Sequence, residues 1–333
     1  MSYQPGSQEL LDSIGNSAVG VAADARPIAA WAGGREVRAG TGGGGISGSS
    51  LVHAARIAEA VCARRDSVVV VPNPRLYVTD AIVLSRFDYG EADRVMTLFT
   101  PALGKLKAIA KGVRRPTSRL GGALEPLAEL RVALARGRTF DVVTQVEVSQ
   151  AWLHLRDNLE SAATAWYLAE LADRSIEERH EAEGIYALLR RSYELLDEGM
   201  DSGRVARWYE MHLADELGVR PEVDRCVECD RVLEADEEFR WVPPLGGVLC
   251  SRCPGPPAER AGISVAAVKV LKAYQRMDVE ALAGLRLPSA VEREVEGAMR
   301  DFLHVSLDRD ARSLDFLDEV RRTGSRAPEG GPG

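Results

Sequence analysis

The sequence predicts an α+β, multidomain protein: a small all-β domain, then an α-helical domain into which a four-cysteine loop is inserted. Three observations predict it. Apolar residues alternate with period two between residues 76 and 148. After Trp152 they recur with the helical period. Cys226, Cys229, Cys250 and Cys253 stand as two CxxC pairs, in the strings CVEC and CSRC. A length of 333 residues leaves room for about two domains.

The elements follow in order. Residues 1–73 do not read as a packed domain, because GGREVRAGTGGGGISGSS (33–50) is too rich in Gly and Ser to build a core. The expectation is a disordered extension, or a chain whose start was assigned too early, with Val71 or a nearby codon as the start. From Arg75 the pattern is strand-like. Tyr77–Leu84 is β-rich, Arg94–Thr100 follows the turn DYGEAD, and Lys105–Lys111, Leu127–Leu134 and Phe140–Val148 alternate, with turns at PALG and Ala135–Arg138. On the last strand Phe140, Val142, Val146 and Val148 share one expected face. Five short strands in about 75 residues fit a closed barrel, and the five-stranded oligonucleotide-binding (OB) fold is the natural candidate. The barrel domain is expected over 74–152.

Helices are expected over 153–320. Leu159–Leu171 is apolar nearly all round, and Ile185, Leu189, Tyr193 and Leu196 mark a second helix. Val205, Trp208, Tyr209, His212 and Leu213 mark a third, stopped by Gly218 and Pro221. The cysteine loop occupies 223–257. Ser264 then caps a helix with Val265, Val268 and Leu271, and Pro288 opens another with Val291, Val295, Met299 and Phe302. Residues 321–333 read as a tail.

Two residues between cysteines let one tight turn aim two thiolates at a single ion, and the second pair completes a tetrahedral cage. One structural zinc ion is the expected cofactor, held by Cys226, Cys229, Cys250 and Cys253. A closed four-thiolate site has no open position for water, so it argues for a staple and against a catalytic metal. The competing readings are a redox CxxC, which wants a thioredoxin-like βαβ context, and an iron–sulfur cluster. No HExxH occurs; His180 begins HEAEG. Cys62 is left over, and this cysteine usage fits a reduced, cytoplasmic setting. No run of about 18 apolar residues predicts a membrane span, and MSYQPGSQEL does not read as a secretory signal.

The net charge of −8 argues against nucleic acid, but its distribution reverses that impression. Pro101–Phe140 carries nine Lys/Arg and two Glu, or +7, leaving −15 for the remainder. Alternation puts Lys105, Lys107 and Lys111 on one side of their strand. The loop after it adds Arg114, Arg115 and Arg119, and the turn before the last strand adds Arg136 and Arg138. Such a surface can track a phosphate backbone; the plain alternative is a solvated basic face. Of the barrel aromatics Tyr77, Phe87, Tyr89, Phe99 and Phe140, some must fill the core, so phosphate contact is expected to outweigh base stacking. Asp88, Glu91 and Asp93 read as a charged turn, and His212 as a satisfied core histidine. Neither a nucleophilic triad nor a phosphate loop is evident, so the chain is expected to act by binding, not as an enzyme.

The string YVTDAIVLSRFDYGEADRVMTLFTPALGKLKAIAKGVRR resembles the N-terminal barrel of the RecO family of bacterial recombination mediators, and the order barrel, helices, CxxC…GGVLCSRC, helices is similar. The resemblance covers about Leu76–Val320. It implies binding of single- and double-stranded DNA through the barrel and annealing of complementary strands in recombinational repair. It also implies partnership with RecR and with the acidic C-terminal tail of the single-stranded DNA-binding protein, and help in loading RecA. Lys105, Lys107, Lys111, Arg114 and Arg115 fall where the family is basic. The alternative is an RNA-binding protein, since OB barrels and zinc ribbons also serve RNA.

Overall fold

The computed structural model describes residues 69–70 and 75–324, apart from 117, 119, 235–237, 256–261, 278–280, 282–283, 285 and 308–312. The reading of 1–73 as an extension and the leftover Cys62 therefore fall almost entirely outside the described residues, as does the assignment of Arg119.

After a two-residue strand β1 (Val69–Val70), five strands form the barrel: β2 (Leu76–Tyr89), β3 (Asp93–Thr100), β4 (Gly104–Ala110), β5 (Glu129–Ala135) and β6 (Asp141–Gln150). β2 pairs antiparallel with both β3 and β5, β3 with β4, and β5 with β6. A short parallel pairing, Ala108 opposite Asp141 and Ile109 opposite Val142, closes the ring between β4 and β6. This is the OB order. β2 serves two neighbours because it is 14 residues long and bends at a register shift between Val83 and Ser85. The sequence pattern ends this strand at Leu84; it continues to Tyr89, so that DYGEAD is half strand and only Gly90–Ala92 turns.

The last strand departs from its expected alternation. A register shift lies between Ala133 and Leu134: on one side of it Val143 faces Leu134, and on the other Val146 faces Val132 and Val148 faces Leu130. Val142 instead faces Ala135. The four even-numbered residues are thus split by a bulge, which inserts one residue and reverses the faces beyond it. Nothing in a valine-rich run marks that point.

The helical part comprises α1 (Leu153–Asp157), α2 (Leu159–Ser175), α3 (Glu183–Asp197), α4 (Ser202–Glu216), α5 (Val265–Arg276), α6 (Ser289–Leu307) and α7 (Ser313–Gly324). Caps explain several starts. Asn158 accepts from the backbone N–H of Glu160 and Ser161, Asp201 from that of Arg204, and Ser264 from that of Ala267. α7 runs four residues past Val320, into the stretch read as tail. Arg321 holds it there through Glu296, contributed by α6, a partner that sequence position does not reveal.

Barrel and helices share one core. Ile82, Leu84 and Phe99 pack in the same cluster as Leu168, Leu189 and Tyr193, and the Phe99 and Tyr186 rings meet edge-to-face at 5.3 Å. Trp152 sits at the junction in left-handed backbone (φ 42°), its ring buried against Tyr193 at 5.1 Å. Glu129 on β5 accepts from Tyr186 Oη at 2.8 Å and from Arg190 Nε at 3.0 Å.

Between α4 and α5 the chain folds around the cysteines. The sequence reads this region as loop. The structure builds a small antiparallel sheet from it, with β7 (Phe239–Val242) between β8 (Gly247–Leu249) and β9 (Gly262–Ile263). Trp241 seats the sheet on α6, donating from Nε1 to the Ala298 carbonyl at 2.8 Å.

Candidate nucleic-acid interface and metal centre

The four cysteine side chains converge, with all Sγ atoms within 4.8 Å of one another. Cys226–Cys253, Cys229–Cys250 and Cys250–Cys253 lie 3.8, 3.9 and 3.7 Å apart. Metal–sulfur bonds of about 2.3 Å at tetrahedral angles put sulfurs about 3.8 Å apart, so the knot fits one four-coordinate ion. Two turns make the fit. In the first, the Asp230 N–H donates to the Cys226 carbonyl at 2.9 Å and Asp230 takes a left-handed conformation. In the second, Arg240 donates to the carbonyls of Cys250, Cys253 and Pro254. Burial pushes the Cys250 thiol up, but the Arg252 N–H and the Arg231 guanidinium outweigh it and hold the thiol at about 6. Burial and the neighbouring thiols push Cys253 the other way, upward. Four sulfurs packed this closely cannot all ionise alone, and a bound cation removes that conflict. Among the described residues this is the one His/Cys/Asp/Glu cluster with metal-binding geometry.

The basic residues divide into two groups. Lys105 and Lys107 point at the helical part. Lys105 Nζ lies 3.1 Å from Asp173 Oδ1 and also donates to the Asp173 carbonyl. Lys107 Nζ lies 2.8 Å from Glu178 Oε1. The Arg179 N–H donates to the Lys105 carbonyl at 2.8 Å, so the 177–180 loop occupies the edge of β4 that β6 leaves open. Arg179 then reaches Asp141 Oδ2 at 3.0 Å. Asp141 is fully buried, and also accepts from Tyr77 Oη and from the Gly137 N–H. Gly104 permits this docking: its φ is 58°, and a Cβ there would lie 1.7 Å from the His180 carbonyl oxygen.

The second group stands on exposed turns. Lys111 and Arg115 are exposed after β4, and Arg136 and Arg138 are exposed before β6. Arg114 reaches Asp88 Oδ2 at 3.4 Å and the Gly90 carbonyl, and Arg136 lies over the Tyr77 ring at 5.6 Å. The acidic turn serves these loops: Asp88 pairs with Arg94 at 3.1 Å, and Asp93 accepts from the Gly112 N–H. His212 Nδ1 is 2.9 Å from the Trp208 carbonyl, as a satisfied helix histidine would be. Of the five barrel aromatics, some of which are expected to fill the core, Tyr77 and Phe99 are buried, whereas Phe87 and Tyr89 are about half exposed.

An OB barrel with cationic turns, joined to helices that carry a four-cysteine knot, defines a two-part architectural class. Comparison with known proteins narrows it. The family model for "Recombination protein O N terminal" matches residues 75–152 and that for "Recombination protein O C terminal" matches 156–315. The chain is 39% identical over 259 residues to DNA repair protein RecO of Roseiflexus sp., covering 77% of this chain and 91% of that one. It is 34% identical over 256 residues to DNA repair protein RecO of Pelotomaculum thermopropionicum, covering 77% and 97%. It is 32% identical over 248 residues to the protein of that name from Symbiobacterium thermophilum, covering 74% and 98%. The chain belongs to the RecO family.

Proposed function

We propose that this protein is a DNA-binding mediator of recombinational repair that acts without catalysing a chemical step. It binds single- and double-stranded DNA at the cationic turns of the barrel and anneals complementary strands. It works with RecR and the single-stranded DNA-binding protein's acidic tail to help load RecA. The observation that carries the reading is the cluster of exposed cations on an OB barrel in a chain of the RecO family. Neutralising phosphates on two strands lowers their mutual repulsion, which would allow annealing without nucleotide hydrolysis. Lys111, Arg114, Arg115, Arg136 and Arg138, with Arg119, are the proposed phosphate contacts. Lys105 and Lys107 contribute only by exchanging Asp173 and Glu178 for phosphate. The knot is proposed to hold one structural zinc. Among the described residues no helix is long and apolar enough to cross a membrane.

The test is a salt titration of DNA affinity alongside a strand-annealing assay with and without the single-stranded DNA-binding protein. Affinity should fall steeply with salt. The variant Lys111→Glu/Arg115→Glu/Arg138→Glu should bind all sequences more weakly and flatten the duplex slope by about 0.9 for each phosphate it no longer neutralises. A flat salt plot, or unchanged binding by the triple variant, contradicts the reading. Preferential capture by RNA in a competition would favour the RNA-binding alternative.

A further inference from the structure

We propose that bases of unpaired nucleic acid stack on an aromatic patch formed by Phe87, Tyr89 and Phe140, so that this surface separates single strands from duplex. The inference rests on the nucleic-acid reading above and adds to it a base-contacting subsite.

The patch is built by register. Phe87 on β2 is opposite Val95, Val95 is opposite Ile109, and Ile109 is opposite Val142, one cross-strand row over four strands. Residues directly opposite share a face. Val95 is fully buried and Ile109 nearly so, while Phe87 at the end of the row is 50% exposed. Tyr89, two residues on and 51% exposed, lies on the same side of β2. Phe140, two residues before Val142, meets the Tyr89 ring edge-to-face at 6.2 Å and 76°. Two rings thus stand on β2 and the third on the bend that leads into β6, with Phe87 and Tyr89 exposed and Phe140 partly so.

Charge selects the occupant. Arg138 stands two residues before Phe140, and Lys111 two residues beyond Ile109. Neither side chain has an ion-pair partner among the described residues. Arg114 reaches the carbonyl of Gly90, the residue after Tyr89. Gly137 keeps the Arg138–Phe140 turn tight, since a Cβ there would lie 1.9 Å from the Phe140 carbonyl oxygen. An apolar protein partner would leave those cations without counter-charge. A single strand offers a π-face and a phosphate at every step, and each stacked base is worth a measurable share of affinity. In a duplex the base faces are already stacked on one another, so only the phosphates are available to this surface.

The experiment measures affinity of the full chain by fluorescence anisotropy for an oligothymidylate, an abasic oligomer of equal length and a duplex. The variant Phe87→Leu/Tyr89→Leu keeps apolar bulk and removes the π-faces. It should bind oligothymidylate at least about five-fold more weakly, with an unchanged salt slope and duplex affinity within about two-fold. The wild type should lose a similar factor on the abasic oligomer, where the variant loses nothing more. Equal losses on single strand and duplex, no loss at all, or tight wild-type binding to the abasic oligomer would overturn the stacking proposal and leave the phosphate reading standing. Wild-type protein with no salt-dependent affinity for any of the three would overturn both.

Discussion

One buried carboxylate shows how a single residue ties the two parts of this protein together. Asp141 opens β6 with no solvent exposure, and receives the Tyr77 hydroxyl, the Gly137 N–H at 3.1 Å and Arg179 Nη2 at 3.0 Å. Burial, and then Asp141 itself, push the Tyr77 hydroxyl well above its ordinary value, so it stays a donor at every working pH. Asp141→Asn keeps the volume but offers one acceptor oxygen in place of two. It should lower stability by about 1–3 kcal/mol, the cost of leaving a buried donor unsatisfied, read as a lower urea midpoint. Arg179→Met should cost at least as much, because it leaves the fully buried Asp141 carboxylate without its cation. Neither residue stands out in the sequence. Asp141 is an ordinary acid at a strand start, and its partners lie 64 and 38 positions away.

At the scale of an element, the four-cysteine knot gathers a segment with little core of its own, where the proposed zinc–sulfur bonds would stand in for one. Its sheet has strands of four, three and two residues, too short to persist alone. What it adds to the rest comes through Trp241 on Ala298 and Phe302, and through Asp224, which pairs with Lys272 and Arg276 on α5. Elemental analysis should find one zinc per chain. Chelation should expose the four thiols to a thiol reagent and speed amide exchange over 223–263, while β2–β6 stay protected. Exchange of the barrel at the same rate would show that the knot supports the whole molecule. The spacing of the two pairs made this element legible. The sheet around it was not, because strands this short carry too few residues to show a period.

For the whole molecule, the contact between barrel and helices decides which cations remain available. Glu178 is held below its ordinary value chiefly by the hydrogen bond from Lys107. A carboxyl lowered in the folded state adds stability above its unfolded value, near 4.3, and loses it as pH falls through the lowered one. Acidification from about pH 5 to about pH 3 should therefore loosen the 177–180 loop at the β4 edge, seen as faster amide exchange there. Lys107→Met should remove that acid sensitivity while leaving the loop already looser at pH 5. An identical response in the variant would mean that the loop is held by Arg179 and its backbone bonds alone.

The sequence by itself determined the order of the barrel strands and the main helices and the gathering of the four cysteines, because strand period, helix period and CxxC spacing are local properties that each segment carries alone. It also determined that a basic segment lies on the barrel. Only the tertiary structure decided how that segment is used. Alternation rightly turned Lys105 and Lys107 out of the barrel, but outward there means toward Asp173 and Glu178, acids 68 and 71 positions along the chain. The same holds for the aromatics. Composition required some of the five to be core, and the register of β2, β3, β4 and β6 left Phe87 and Tyr89 outside. Charge pairing and burial depend on which distant segments meet, and no local pattern records that.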